Sequence, residues 1–151
     1  MPNWCSTQIR ITGPSSKINA LVASTQSESR VLDFDKIRPT PAPLLAAKTE
    51  EERDENLKAY GHADWYDWRN ANWGTKWNSD GEYAVQEPDS LYIEFLTAWG
   101  PPLEILDQVA EDNKELKIVA SFEESGMDFR GCAVWRDGVR ESEAISHHPL
   151  M

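Results

Sequence analysis

Twice in this chain an alternating apolar–polar segment runs into a Gly-Pro break and is followed by an apolar stripe at helical spacing. In residues 5–12, Cys5, Thr7, Ile9 and Ile11 point one way and Ser6, Gln8, Arg10 and Thr12 the other. That two-residue period belongs to a half-buried strand. Gly13-Pro14-Ser15-Ser16 breaks it and starts a helix, with serine able to accept from an orphan N–H; Ile18, Leu21 and Val22 supply the stripe. In residues 91–99, Leu91, Ile93, Phe95, Thr97 and Trp99 alternate with Tyr92, Glu94, Leu96 and Ala98. Gly100-Pro101-Pro102 then opens a second helix, where proline in the first turn loses no needed donor. Leu103, Ile105, Leu106, Val109 and Ala110 form its buried face.

The remaining elements are read the same way. Residues 31–37 are expected as a short second strand with Leu32, Phe34 and Ile37 inside. Pro39, Pro41 and Pro43 end it as an extended connection, because proline cannot donate to a ladder. Thr49 with Glu52 matches a capping box, predicting a polar helix over residues 50–60 that stops at Gly61. Residues 79–82 and 87–90 are turn-like. Residues 116–124 and 129–136 read as strands, joined to an edge strand over residues 139–144 by the two-residue turn Asp137-Gly138. Residues 145–151 read as a loose tail. The fold class is therefore α+β: a ferredoxin-like split β-α-β sandwich with an antiparallel sheet and two helices on one face. It forms a single domain over residues 1–151, with a helical Trp-rich insertion over about residues 40–88.

Charge narrows the partners. Twenty-six acidic and 15 basic residues leave a net charge of −11. Phosphate backbones are held by clustered Lys and Arg, and the one dense charge run here is acidic, Glu50-Glu51-Glu52-Arg53-Asp54-Glu55. This argues against direct nucleic-acid binding; the charge serves solubility and steers a basic partner. Two cysteines, Cys5 and Cys132, make no secreted disulfide framework. No signal peptide or membrane-length apolar run is visible, so the cytoplasm is the expected compartment and no membrane partner is expected. CxxC, HExxH and glycine-rich phosphate loops are absent, so neither a metal nor a cofactor is expected, and no catalytic residue is assigned.

One constellation stands out. Four of the seven tryptophans, Trp65, Trp68, Trp73 and Trp77, lie within residues 65–78, interleaved with Asp67, Arg69, Asn72 and Lys76. Rigid indoles give large contact area, and Asn and Arg give oriented hydrogen bonds. The same rings can pack the insertion against the sheet. A wall that is core on one side and pocket on the other satisfies both readings.

The residues Met1-Pro2-Asn3-Trp4-Cys5, Ile11-Thr12-Gly13, Ile37-Arg38-Pro39, the Trp-rich segment through Asn72-Trp73-Gly74-Thr75-Lys76-Trp77, and Phe95-Leu96-Thr97-Ala98-Trp99 occur in order along the chain. Glu123-Glu124-Ser125-Gly126 follows them. This pattern resembles the YubB-like family of phage and plasmid proteins. The resemblance implies a ferredoxin-like domain in a mobile-element protein and implies no activity.

The leading expectation is a non-catalytic accessory protein that binds a host protein or small ligand through a Trp-rich surface. Its candidate residues are Trp65, Trp68, Arg69, Asn72, Trp73, Lys76, Trp77, Glu94 and Trp99. Two alternatives stand beside it. One is a small enzyme using sheet-face carboxylates, Glu94 with Glu123 nearby, in a pocket beside the insertion. The other is a structural or assembly protein that associates through a sheet edge or face.

Overall fold

Strands with one apolar face need a layer to cover it, and the two amphipathic helices supply that layer. The computed structural model describes residues 3–147. In chain order the elements are β1 (Trp4–Thr12), α1 (Ser15–Thr25), α2 (Phe34–Ile37), α3 (Ala42–Ala46), α4 (Glu50–Tyr60) and α5 (Trp65–Asn72). There follow β2 (Asp80–Glu87), β3 (Ser90–Ala98), α6 (Leu103–Asp112), β4 (Lys117–Glu124), β5 (Phe129–Arg136) and β6 (Val139–His147). Among the described residues, no helix is long and apolar enough to cross a membrane.

The six strands form one sheet in the order β2-β3-β1-β4-β5-β6, with every neighbouring pair antiparallel. Because β3 pairs with both β1 and β2, those two run parallel with β3 between them. In the same way β1 separates β3 from β4. These are the two interleaved split β-α-β units of a ferredoxin-like sandwich, and β5 and β6 extend it as a meander. The alternation in β1 places Cys5, Thr7, Ile9 and Ile11 inward, all buried. Ile93 and Phe95 of β3, Ile118, Ala120 and Phe122 of β4, and Ala133 and Trp135 of β5 continue that face. Ile18 and Leu21 of α1 and Ile105, Leu106 and Val109 of α6 close over it. Each such side chain contributes about 1.5–3 kcal/mol of transfer free energy on full burial.

Two expected elements are corrected. Residues 31–37 form no strand. The ladder donors of Val31 and Leu32 instead bond the Glu82 carboxylate, at 2.6 and 3.0 Å. Asp33 then caps α2 by accepting from the Asp35 amide at 2.9 Å. Leu32 and Phe34 remain buried, so the apolar reading holds although the backbone reading does not. The second strand of the sandwich is β2, which begins within residues 79–82, expected as a turn. The connection between α1 and β2 thus runs over residues 26–79, and the insertion ends before β2 rather than near residue 88. Two smaller differences follow. Proline at the start of α3 turns part of the expected extended connection into one helical turn. β6 carries on to His147, so Ile145 and the two residues after it are strand, while residues 148–151 of the expected tail lie outside the described residues.

Two carboxylates in the insertion make its stability depend on acid. Asp64 caps α5 by accepting from the Asp67 amide at 3.0 Å, and its second oxygen pairs with Arg53 at 3.0 Å. The amide bond, aided by Arg53 and opposed by partial burial, holds its carboxyl below the usual carboxylate range. At Asp33 partial burial pushes the carboxyl up, but donors from Asn78, Ser27 and Asp35, with Arg30 nearby, outweigh it and leave the group depressed. A folded-state value below the unfolded one adds stability that is complete above the unfolded value of about 4 and lost as pH falls below it. Urea midpoints are therefore expected to drop between about pH 5 and pH 3. Joint replacement of Asp33 and Asp64 by Asn should flatten that drop. An unchanged acid slope in the double variant contradicts the assignment.

Candidate functional site

The Trp-rich segment is built around one arginine. Helix α5 places Arg69 so that its guanidinium lies 5.1 Å from the Trp65 ring centre and 4.6 Å from that of Trp73. Its Nε donates to Thr40 Oγ1 at 3.1 Å. Burial pushes this guanidinium's pKa down from its ordinary value, partly offset by Asp35. Such an arginine is already committed on both faces. Asn72 is committed too: its Nδ2 donates to the Trp68 carbonyl at 2.9 Å, and its own carbonyl accepts from Arg38 at 2.8 Å.

Trp73 is 1% exposed. Its Nε1 donates to the Arg38 carbonyl at 2.9 Å, and its ring meets Phe34 and Trp68 edge-on. Trp68 packs against the same core. Of the nine candidate residues, Trp68 and Trp73 thus join the insertion to the core, while Trp65, Arg69 and Asn72 hold the insertion together.

The chain then leaves the core. Thr75 donates to the Ala98 carbonyl at 2.9 Å, which ties the segment to the end of β3. Beyond it Trp77 is 38% exposed, and its ring lies 6.2 Å from that of Trp4 at the start of β1. Lys76 Nζ sits 4.4 Å above the Trp77 ring and 5.9 Å from that of Tyr66, another exposed ring. A cation over an exposed ring contributes only about 0.5–1 kcal/mol, enough to orient the pair.

Trp99 belongs to the same end of the sheet, since its amide donates to the Asn3 carbonyl at 2.7 Å. Alternation would turn it inward, but β3 ends at Ala98. Trp99 instead adopts φ +69° and is 47% exposed. Left-handed backbone at a bulky L-residue costs roughly 1–2 kcal/mol, and strain of that kind concentrates at functional positions. Length and alternation gave no signal for it; the Gly-Pro-Pro that follows was the only hint of a sharp exit.

Glu94 lies elsewhere. It stands on the open face of the sheet, in cross-strand register with Gln8 and Tyr83, and accepts the Tyr92 hydroxyl at 2.8 Å. That bond raises the Tyr92 phenol above its ordinary value. Glu123 is on the same face, but strand β1 runs between the two carboxylates and Glu123 pairs in register with Ser6. Nothing in this geometry couples them as an acid–base pair.

The site residues therefore divide into three groups. Trp65, Trp68, Arg69, Asn72 and Trp73 are committed to packing and bonds within and beneath the insertion. Lys76 and Trp77, joined by Trp4, form an aromatic surface at one end of the sheet, and Trp99 is exposed at that same end. Glu94 belongs to the open face. Trp4 stands outside the nine candidates although it opens the family pattern; its place beside the motif depends on β1 starting where β3 ends.

Comparison with known proteins agrees with the architecture. The chain is similar over its full length to the crystal structure of a protein api92 from Yersinia pseudotuberculosis, covering 100% of both chains with a TM-score of 0.62. The two are 12% identical, so the likeness concerns the fold alone. No curated protein matches the chain. A family model described as a ferredoxin-like domain in Api92-like protein matches residues 72–148, from the end of α5 through the last described strand. The chain belongs to this family of ferredoxin-like domains of Api92-like proteins.

Proposed function

We propose that this chain is a non-catalytic accessory protein of a phage- or plasmid-type mobile element that holds a host protein through the aromatic surface formed by Trp4, Lys76, Trp77 and Trp99. The observation that carries this reading is the pair of indoles left in solvent, Trp77 at 38% and Trp99 at 47% exposure, beside five tryptophans that are more deeply placed. Exposed, rigidly seated tryptophans are among the usual anchors of protein contacts. Trp77 is seated by Trp4 and Lys76, and Trp99 by its backbone. The mobile-element setting rests on the sequence resemblance described above. Exposed indoles suit a protein contact, and the acidic chain steers a basic partner.

Two variants test the reading. Trp77→Ala removes a half-exposed ring and should lower stability by less than about 1 kcal/mol. Trp99→Gly removes the strained side chain, so its unfolding midpoint should hold or rise. Both proteins should fail to retain, from a lysate of the bacterial host, the protein that the wild-type chain retains. Retention by both variants sinks the proposal.

A further inference from the structure

The open face of the sheet carries a second feature, independent of the aromatic surface. Strand register stacks its side chains into rows that cross the strands. One row is Gln8, Ser121, Cys132 and Ala144; the row on one side is Ser6, Glu123, Arg130 and Ser146. On the other side stand Arg10, turned onto the Tyr92 ring, with Val119, Val134 and Ser142. Ser121 and Cys132 are short beside Glu123 and Arg130 on one side and Val119 and Val134 on the other, and a groove of about 420 Å³ lies there, lined by Ser6, Gln8, Ser121, Glu123, Arg130 and Cys132 among others. That volume is toward the small end of the roughly 300–1,000 Å³ that ligand clefts span.

Arg69 and Arg140 are held by partners within the fold; the polar side chains of this groove are not. Among the described residues, no side-chain hydrogen bond or ion pair within the protein involves Ser6, Gln8, Ser121, Glu123, Arg130 or Ser146. Glu123 and Arg130 are direct cross-strand partners, a placement where opposite charges ordinarily attract, and yet they do not close an ion pair among the described residues. One groove therefore offers an unspent carboxylate, an unspent guanidinium and neutral hydrogen-bonding groups between them.

We propose that this groove binds a small zwitterion of the free amino-acid or dipeptide class, with its ammonium on Glu123, its carboxylate on Arg130 and its polar middle on Ser121 and Gln8. The charges select this class. An anion meets Glu123 and a chain of net charge −11; a simple cation meets Arg130. A ligand with one charge of each sign and none in excess satisfies both side chains and gains nothing or loses nothing from the field of the whole protein. Arg presents a planar fork suited to a carboxylate.

Cys132 provides the readout. It is a free, exposed thiol in the groove wall, whereas Cys5 is buried. Burial pushes the Cys5 thiol up to about 11, so alkylation of the native protein by iodoacetamide reports Cys132 alone. The free dipeptides Ala-Ala and Gly-Gln should slow that alkylation roughly tenfold at concentrations ten times their dissociation constant. Their N-acetylated and C-amidated forms, each lacking one charge, should give no protection. Glu123→Gln and Arg130→Gln should each abolish the effect of the free dipeptides, while Arg136→Gln, outside the groove, should not. Calorimetry with the same peptides reads binding that leaves the thiol uncovered. The proposal is overturned by no heat and no protection from either free dipeptide at about 10 mM, by equal binding of the blocked forms, or by binding that survives both groove variants. Because Trp77 and Trp99 take no part, failure here leaves the protein-binding reading untouched, and the reverse holds too.

Discussion

Replacing Trp73 with alanine should cost about 3–5 kcal/mol of folding stability, the range for deleting a buried aromatic ring. The ring is 1% exposed and joins the insertion to the core by three kinds of contact. Its edge packs on Phe34, itself edge-on to Phe95 of β3, so a chain of rings runs from the insertion into the sheet. Its indole N–H satisfies the Arg38 carbonyl. Its face holds the Arg69 guanidinium at 4.6 Å, and that arginine in turn reaches Thr40 in the connection to α3. A domain of this kind has about 5–15 kcal/mol in all, so Trp73→Ala should lose much of its cooperative transition near room temperature. Trp73→Phe keeps most of the ring but loses the indole donor, leaving the Arg38 carbonyl short of one partner, and is expected to cost about 1–3 kcal/mol. Urea denaturation followed by near-ultraviolet circular dichroism separates the two. A loss below about 1 kcal/mol for Trp73→Ala, comparable with Trp77→Ala, contradicts the anchoring role.

That contrast between two tryptophans four residues apart shows where sequence reasoning stops. Spacing in residues 65–78 identified the aromatic constellation, but every indole carries the same chemistry until tertiary contacts choose its side. Strands β1, β3, β4 and β5 were legible because each has one face buried by helices, which forces alternation. Helix α4 was legible from its ends: the Thr49 hydroxyl accepts from the Glu52 amide at 3.1 Å, and Gly61 takes φ +77° as the left-handed stop. β2 was not legible. It is an edge strand with little buried area, its residues Asp80 and Gly81 are turn formers, and a bulge shifts its register between Asp80 and Tyr83. Pairing with β3 makes it a strand. The same edge explains the error at residues 31–37, since Glu82 of β2 takes the amides of Val31 and Leu32 that a ladder would need. The one misreading caused the other, and both arise from a contact between residues some 50 positions apart in sequence.

Replacing Asp107 with alanine is expected to be the second most damaging of these changes, at about 2–3 kcal/mol, and to act mainly on the last two strands. Asp107 Oδ1 accepts from the indole of Trp135 at 2.7 Å and from Arg140 Nε at 2.9 Å, while Oδ2 accepts from Arg140 Nη2 at 2.6 Å. Trp135 is fully buried, so its N–H loses its acceptor with little access to water, a loss of about 1–3 kcal/mol. The Arg140 pair adds less than its two bonds suggest, because its side chains are 24% and 40% exposed and solvent screens them. The hydrogen bonds to Asp107, against a smaller opposing effect of burial, hold the Arg140 guanidinium above its ordinary pKa. What the pair does is positional. β6 is the edge strand of the sheet, and Arg140 pairs with Trp135 beside the register shift between β5 and β6. The carboxylate on α6 is therefore what clamps the meander to the helical layer. In the Asp107→Ala protein the amides of β6 should exchange with solvent faster than those of β1 and β3, whose protection should follow global stability alone. Asp107→Asn keeps an acceptor for Trp135 but loses the charge on Arg140, and should recover about half of the lost stability. Uniform loss of protection across all six strands, or an Asn variant no better than Ala, shows that Asp107 supports the whole sandwich rather than its last two strands.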